Sequence, residues 1–412
     1  MVKHIIDIKD LEELSLADCS IYNVPHNLRK VKKEAYTPQL ISIGPIHLGK
    51  QELQPMQQHK KRYFHFFWER LSIPNQLSIK NYKLFLENQE QRIRKCYADK
   101  FPNINKDKFV ETILLDAVFI MELLLRNSSW KSDTSKHEHD YVQSKSFRWK
   151  HTDDYILTQA WLSKTITRDL ILLENQIPFF VLMNLYDTVV PQDDKKPEHD
   201  NFLDLALEYF AFYDTQKSSS LETKLVLDKN QSKKYYYEKV VALMLFQEQS
   251  QSCLPSFSCL NHFKARLRIP QLKVDHTTEC VLRNLIALEQ CQYQEQPYIC
   301  NYVSLVDSLI HTQVDVDFLV EKEVIVHEMG SDKEVAVLVN GLCKHVVVNS
   351  NCYHEIINEL NKHYQNIWNR TMAALWLVYF RDAWRASSTL VGIAFLVYTA
   401  FNFVRLAKVL FY

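Results

Sequence analysis

A phosphate-binding loop is the first chemistry that the sequence suggests, because glycine and lysine recur at the right spacing after an apolar stretch. Residues 44–51 read Gly-Pro-Ile-His-Leu-Gly-Lys-Gln, whereas a phosphate loop needs Gly, four residues, Gly-Lys and then Ser or Thr. Gln51 stands where the hydroxyl that binds Mg²⁺ belongs, and Pro45 lacks the N–H that such a loop offers to phosphate. We therefore interpret the segment as a turn and predict no nucleotide site.

A zinc site is the second candidate chemistry. Cys253, Cys259 and His262, with Cys280 as a fourth ligand, offer the donor types that Zn²⁺ takes in tetrahedral sites. Their spacing is irregular and no Cys-x-x-Cys pair occurs, and free cysteines are commonly small buried hydrophobic residues. We favour the packing role, and we predict no metal, no cofactor and no catalytic residue.

Polar side chains also interrupt two strongly apolar helical stretches. Residues 174–176 are Glu, Asn and Gln between two apolar runs, and residues 283–289 read Arg-Asn-Leu-Ile-Ala-Leu-Glu. Buried polar groups of this kind fix how helices meet, provided that every group is bonded. We interpret both sets as structural. The alternative is an unrecognised enzyme or small-ligand binder with a pocket near Glu174, Asn175 and Asn284.

Composition restricts the class of protein. Lys plus Arg equals Asp plus Glu at 49 each, so no net charge draws the body to nucleic acid, and we expect no nucleic-acid partner. Only 5 of 412 residues are glycine, which disfavours folds that are rich in tight turns. The odd count of 9 cysteines and an opening without a basic and then apolar stretch predict reduced thiols and a cytosolic body.

The C-terminal region predicts a membrane anchor. Residues 386–404 carry no charge, and nineteen residues at a rise of about 1.5 Å span roughly 28 Å, close to the thickness of a hydrocarbon core of about 30 Å. Arg381 and Arg385 precede the stretch, and Arg405 and Lys408 follow it. We predict a single transmembrane helix at 386–404 and a short tail at 405–412; the alternative is a buried core helix.

Apolar residues three and four apart predict helices along most of the chain. The predicted helices cover residues 1–18, 52–71, 76–97, 107–126, 153–175, 178–187, 201–213, 234–249, 276–291, 298–311, 315–324, 332–346 and 351–380. Short strands are predicted at 40–43 and 267–274, and polar loops near 127–154 and 191–233. The predicted fold class is mainly α: a multi-helix body at 1–385, in which a division into two lobes stays open, plus one C-terminal transmembrane helix.

Several of these segments together resemble a known plant family. The matching motifs occupy residues 21–25, 35–38, 42–45, 56–60, 172–180, 269–275, 283–287 and 289–291. Their order and spacing are similar to those of the family called domain of unknown function 247. The residues that carry the resemblance, which we interpret as structural, are Pro25, Tyr36, Pro38, Gly44, Pro45, His59, Lys60, Glu174, Asn175, Gln176, Pro178, Asp275, Arg283, Asn284 and Glu289.

The resemblance implies a plant membrane protein without assigned catalysis, some relatives of which are tied to self-incompatibility, a recognition role. It implies no catalytic residue. We therefore predict a single-pass protein of the plasma membrane or an endomembrane, held by its C-terminal helix, with an unknown protein as partner. Glycosylation sequons at Asn127, Asn230 and Asn369 provide a check on which side of the membrane the body lies.

Overall fold

The structure of the chain is a computed structural model, and it describes residues 19–70, 75–135, 154–191, 195, 201–210, 256–258, 266–268, 271–295, 297–348, 352–379 and 383–411. The chain divides into two units. Unit 1 comprises residues 1–251 and 270–350, and unit 2 comprises residues 252–269 and 351–412. The predicted helices at 1–18 and 234–249 lie outside the described residues.

Helices dominate the first part of unit 1. They are α1 (His26–Val31), α2 (Pro55–Arg70), α3 (Asn75–Lys95), α4 (Lys106–Ser135), α5 (Tyr155–Thr158), α6 (Ala160–Leu170), α7 (Phe179–Thr188) and α8 (Phe202–Phe210), with short 3₁₀ turns at Lys33–Tyr36 and Gln51–Leu53. The central element is α4, which contacts α2, α3, α7 and α8. It is buried around most of its circumference, as expected of a helix whose sequence is apolar on every side.

The remaining strands and helices follow in both units. They are β1 (Ser256–Ser258), β2 (Arg266–Arg268), β3 (Leu272–Val274), α9 (Thr278–Gln292), α10 (Tyr298–Leu309), α11 (Gln313–Glu321), β4 (Ile325–His327), α12 (Asp332–Leu342), α13 (His354–Gln365), α14 (Ile367–Tyr379) and α15 (Ala383–Phe411). In unit 1, β3 pairs with β4 in parallel, with Leu272 opposite Ile325. In unit 2, β1 and β2 form an antiparallel pair. The mainly α fold class is confirmed.

The predicted strand at 40–43 does not form, because side chains distant in sequence bind its backbone N–H groups. The N–H groups of Leu40 and Ile41 donate to the Asp169 carboxylate, at 2.7 and 3.1 Å, and Ile43 N–H donates to the Asn175 side chain at 2.6 Å. These side chains accept hydrogen bonds from the backbone N–H groups that would otherwise pair with a neighbouring strand. The segment stays extended without entering a sheet.

Three helix predictions change at their ends or interior. The helix predicted at 153–175 forms as two helices, α5 and α6, with Gln159 extended between them. The second ends at Leu170, where the Gln176 side chain donates to the carbonyls of Leu170 and Leu172. The helix α4 runs on to Ser135, into the loop predicted at 127–154, where the Ser128 hydroxyl donates to Glu208 of α8 at 2.8 Å. Residues 136–153 lie outside the described part of the chain.

The helix predicted at 351–380 is two helices, α13 and α14. Asn366 between them is extended, with ψ of 115°, and its side-chain oxygen accepts the N–H of Trp368 at 3.0 Å. That bond is typical of a residue that caps the N-terminus of a new helix. The strand predicted at 267–274 is likewise divided into β2 and β3, while β1 and β4 were not predicted from the sequence.

The helix α15 contains a segment that is long and apolar enough to cross a membrane. The segment runs from Ser387 to Arg405, and none of it is buried within the protein. By its length and composition it therefore meets the requirements of a membrane span.

Candidate functional site

The N-terminal segment, defined here as residues 19–50, is the part of unit 1 on which the polar motif residues converge. Most of it is neither helix nor strand, and prolines at 25, 38 and 45 keep it extended or turning. Its backbone donors and acceptors need partners wherever it is buried. Side chains from four helices and one loop supply those partners.

Asp169 and Asn175 hold the stretch from Gln39 to Ile43. Asp169 is fully buried at the end of α6, and its carboxylate accepts the N–H groups of Gln39, Leu40 and Ile41. Burial raises the pKa of Asp169, and the three N–H donors oppose that rise. The two N–H groups of the Asn175 amide donate to the carbonyls of Ile41 and Asp169, both at 2.9 Å.

Lys60 and Asp116 form a buried ion pair under the same segment. Lys60 of α2 is 2% exposed and Asp116 of α4 is 1% exposed, so neither charge is hydrated and each depends on its protein partners. The Lys60 ammonium donates to Asp116 and to the Ser42 carbonyl, and the second Asp116 oxygen accepts Gly44 N–H at 2.8 Å. The pair thus binds the backbone of Ser42 and Gly44 in the N-terminal segment to α2 and α4.

Gly44 is required at its position by both conformation and space. Its φ is +71°, a region that side chains with a Cβ rarely occupy, and a Cβ there would lie 2.4 Å from the Gln176 carbonyl oxygen. That carbonyl also accepts the Tyr97 hydroxyl at 2.9 Å. The turn at 44–49 therefore packs against the 174–176 loop, as the turn interpretation of this segment expects.

Glu174 lies among basic groups of the N-terminal segment. One carboxylate oxygen accepts Val24 N–H at 2.8 Å and a hydrogen bond from Arg29 of α1. The other oxygen is 3.7 Å from the Nε2 atom of His47, which is beyond hydrogen-bond reach. Neither ring nitrogen of the buried His47 has a hydrogen-bond partner among the described residues. Burial, with the positive charges of Lys50 and Arg29, lowers the pKa of His47 to about 4.

Asn284 and Arg283 extend the network of hydrogen bonds to α9. The Asn284 oxygen accepts Leu173 N–H at 2.9 Å, and its amide donates to the carbonyls of Ala35 and Cys280, both at 2.8 Å. Arg283 donates to Glu279 at 2.9 Å and to the Gly341 carbonyl at 3.2 Å, within the second half of unit 1. Asn284 thus joins α9 to both the N-terminal segment and the 171–178 loop.

Glu289 and Asp275 act at helix N-termini. Glu289, fully buried in α9, accepts the N–H groups of Ile299 and Cys300 in the first turn of α10, each at 2.7 Å. Asp275 accepts the N–H groups of Thr277 and Thr278 at 2.8 Å where α9 begins. Burial would raise the pKa of Asp275, but these N–H bonds and those from the two threonine hydroxyls lower it.

The remaining motif residues pack in the core or precede helices. Pro25 and Pro178 precede the first turns of α1 and α7, while Pro38 and Pro45 are buried in the N-terminal segment. Tyr36 is 1% exposed and lies beneath the Arg29 guanidinium. His59 stacks on Tyr155 with ring centroids 5.4 Å apart, away from the network around Glu174.

Sequence reasoning missed two groups of polar residues. Asp116, Asp169 and Arg168 belong to the network, and their only signal is an acidic or basic residue inside an apolar helical run. A separate buried cluster joins Arg126 to Asp154 at 2.7 Å, and Tyr63 donates to the same carboxylate at 2.7 Å. Burial would raise the pKa of Asp154, but the bonds from Arg126 and Tyr63 lower it below its usual range.

The candidate metal ligands are not brought together in the described part of the chain. Cys253, Cys259 and His262 lie outside the described residues, and the Cys280 thiol is buried against the Ala35 carbonyl. Burial raises the pKa of Cys280 to about 11, which disfavours the thiolate that a metal requires. Within the described ranges, no three His, Cys, Asp or Glu side chains lie close enough to hold a metal ion.

The geometry defines a class of protein: a helical body in which buried polar side chains bind the backbone of an extended N-terminal segment. Comparison with known sequences then gives the family. The profile of the plant protein family of unknown function called domain of unknown function 247 matches residues 21–252 and 234–398, and the chain belongs to that family. The resemblance seen in the sequence motifs is confirmed. The family assignment brings no established biochemical activity.

Two curated relatives come from Arabidopsis thaliana. The "UPF0481 protein At3g47200" is 26% identical over 419 residues, covering 91% of this chain and 83% of the relative. The "Putative UPF0481 protein At3g02645" is 24% identical over 508 residues, covering 94% of this chain and 89% of the relative. No solved structure matches the chain significantly.

Proposed function

We propose that the chain is a single-pass membrane protein held by α15, and that its helical body acts by binding another protein rather than by catalysis. The observation that carries the anchor is the apolar segment Ser387–Arg405, none of which is buried within the protein. In water, a contiguous exposed apolar surface of this kind is unfavourable, whereas a hydrocarbon core solvates it.

The ends of the segment support this function. At a rise of about 1.5 Å per residue its nineteen residues reach roughly 28 Å, close to a hydrocarbon core of about 30 Å. Arg385 and Arg405 stand at its two ends, and Trp384 is 82% exposed, at the level where aromatic side chains meet headgroups. One helix of this length suffices for a single pass.

The binding role is supported by how unit 1 uses its polar and apolar side chains. The motif residues form hydrogen bonds with the protein's own backbone, as the residues of a structural network do. On α11, Val314 and Phe318 are one turn apart and are 73% and 56% exposed. Exposed apolar side chains at this spacing suit contact with a protein partner in a recognition role.

A small-ligand site beside Glu174 is the second candidate, favoured by one observation: the buried imidazole of His47 has no hydrogen-bond partner among the described residues. Against it, both amide N–H groups of Asn175 and of Asn284 are bonded to backbone carbonyls. A His47→Phe chain that keeps its partner binding would argue against a ligand there, because phenylalanine keeps an aromatic ring at this position without a hydrogen-bonding group.

Membrane extraction tests the anchor. The full chain and a chain ending at Arg385 are expressed in plant cells, and their membranes are washed with alkaline carbonate. We expect the full chain to stay in the pellet and the shortened chain to be released. Extraction of both chains alike would overturn the anchor and make α15 part of the protein's core.

Protease protection of the same membranes tests the cytosolic body. We expect digestion of the body from the cytosolic side of intact vesicles of the plasma membrane or endomembrane, with no glycan at Asn127, Asn230 or Asn369. A shift in mobility on glycosidase treatment would place the body on the opposite side.

Photo-cross-linking tests the binding role. A photoreactive residue at position 318 in the membrane-bound chain should give one discrete adduct, and the same residue at the neighbouring exposed position 317 gives the matched control. The adduct should disappear in a Val314→Asp chain that still folds. Equal, diffuse cross-linking from both positions would contradict a partner on this face.

A further inference from the structure

The helix α14, immediately before the candidate span, exposes a set of apolar side chains. Ile367 and Trp368 are 72% and 75% exposed, and Leu375, Val378 and Tyr379 are 42%, 55% and 47% exposed. Such large apolar groups are normally buried, and single exposed ones need no explanation. Five on one helix of thirteen residues do need one.

These five side chains form a stripe. Successive helix residues are about 100° apart, so positions 367, 368, 375, 378 and 379 fall within roughly 120° of the helix circumference. Arg370, exposed, lies outside the stripe, and its guanidinium covers the exposed Tyr364 ring of α13 at 5.4 Å. One polar residue, Thr371, lies within the stripe, and its hydroxyl donates to the Ile367 carbonyl at 2.8 Å. A cation and an aromatic ring, Arg370 and Tyr364, lie beside the stripe.

The length of α14 excludes a second crossing of the membrane. Thirteen residues at about 1.5 Å each extend roughly 20 Å, well short of the hydrocarbon thickness of about 30 Å. A helix too short to span, with a stripe of exposed apolar side chains, fits instead along the boundary between headgroups and hydrocarbon. Trp368 and Tyr379 are residue types that concentrate at that boundary.

The charge of this region and its continuity with α15 both indicate that a lipid bilayer covers the stripe. Between Glu359 and the candidate span the chain carries four basic residues, Lys362, Arg370, Arg381 and Arg385, and one acidic residue, Asp382. Basic residues next to a membrane segment are attracted to anionic headgroups. The helix α14 also contacts α15, and the Thr389 hydroxyl at the start of the candidate span donates to the Tyr379 carbonyl at 3.1 Å. The stripe therefore reaches the point at which α15 would enter the bilayer.

We propose that α14 is an in-plane membrane helix, whose stripe of Ile367, Trp368, Leu375, Val378 and Tyr379 is buried in the interface of an anionic bilayer. This inference rests on the proposed anchor, and it adds a second contact with the same lipid surface. The contact fixes the direction in which α13 leaves the membrane, because Arg370 and Tyr364 join α13 to α14 at the headgroup level.

A fluorophore on the stripe tests the proposal in the full chain. Leu375→Cys, in a chain with the exposed Cys352 changed to serine, is labelled with an environment-sensitive dye and reconstituted into vesicles of phosphatidylcholine and phosphatidylserine. Arg370→Cys, on the same helix but outside the stripe, is the matched control, and the Cys352→Ser chain gives the background. We expect blue-shifted emission from position 375, and quenching by nitroxide-bearing lipids at least several-fold stronger than at position 370.

Three outcomes would overturn the proposal. Emission at position 375 as red as at position 370 means that the stripe faces water. A blue shift without quenching by nitroxide lipids means that protein, such as a second copy of the chain, covers it. Equal quenching at both positions means that the helix has no preferred face. Carbonate extraction of the same samples separates these results from failure of the anchor, because a chain that is released from the vesicles would show that α15 itself does not insert.

Discussion

Polar side chains are buried around the N-terminal segment, whereas apolar side chains are exposed along α14 and α15. Asp169 and Lys60 are 0% and 2% exposed in unit 1, while Trp368 and Phe403 in unit 2 are 75% and 76% exposed. A buried polar group is costly unless it is bonded within the protein, and a contiguous exposed apolar surface is costly in water. On the proposed anchoring, the two regions satisfy the same rule in different surroundings.

The comparison separates the residues that stabilise the fold from those proposed to hold the protein in a membrane. In unit 1 the motif residues replace the hydrogen bonds that a sheet would give to an extended chain. In unit 2, the described side chains of α14 and α15 are mostly exposed, and on the proposed anchoring a bilayer covers them. Substitutions in the first region should change the stability of the body, and substitutions in the second should change membrane association alone.

The largest effect is expected at the buried ion pair. Lys60→Met leaves the Asp116 carboxylate buried without its cation, which costs about 3–5 kcal/mol of unfolding free energy. Lys61→Met, one position away and exposed, should change it by less than about 0.5 kcal/mol. Thermal unfolding of the detergent-solubilised chains measures both. Equal melting temperatures for the two variants would refute the structural role of the pair.

Two glycines with positive φ provide a matched test of how the turn at 44–49 packs against the 174–176 loop. Ala at Gly44 would meet the Gln176 carbonyl at 2.4 Å, whereas Ala at Gly49, with φ of +84°, would meet nothing within 4 Å. Both changes strain the backbone by about 1–2 kcal/mol, and Gly44→Ala adds a clash of roughly 1–3 kcal/mol. The melting temperature should fall further for Gly44→Ala. A larger loss for Gly49→Ala would contradict the packing of this turn.

A charge in the candidate span should act on membrane retention and leave the body intact. Leu396→Arg places a cation in the middle of the apolar segment, which costs about 2.5–3.5 kcal/mol of insertion free energy. Leu84→Arg is the control, since Leu84 is 53% exposed in unit 1. Carbonate extraction should release more of the Leu396→Arg chain than of the control. Release of both chains to the same extent would mean that α15 is not in the hydrocarbon core.

The sequence predicts the helices better than it predicts the connections between them. Periodicity located α4 and α9 because each presents apolar residues at helical spacing, and composition located the candidate span in α15. The apolar stretch at 40–43 has the pattern of a strand, but its backbone donors bind Asp169, which lies about 130 residues further along the chain. No local pattern encodes such a contact.

The site was predictable to the extent that its residues form motifs. Glu174, Asn175 and Asn284 were found because they interrupt apolar runs, and they bind the backbone of other segments. Asp116 was not found, since one acidic residue in a buried helix has no periodic signature. Its role depends on Lys60 and Gly44, which only the folded chain brings to it.

The smallest expected effect is the pH dependence of stability caused by His47. A buried histidine should give such a dependence, and an exposed one should not. The ordinary pKa of 6.5 is lowered to about 4 by burial and by the charges of Lys50 and Arg29, which outweigh the nearby Glu174 carboxylate. Between these values the unfolded chain binds more protons than the folded chain, so stability falls as the pH falls, and the loss is complete below about pH 4.

Removal of the imidazole should remove this dependence. From about pH 7.5 to about pH 5 the wild-type chain should lose roughly 2 kcal/mol of unfolding free energy through His47, and His47→Gln should lose correspondingly less. His65→Gln is the control, because His65 is exposed beside Glu69 on the surface of α2. Melting temperatures measured across this pH range give the comparison. Parallel curves for the wild-type chain and His47→Gln would show that protonation of His47 is not opposed by the fold, and that its surroundings are more hydrated than those of Asp169 or Lys60.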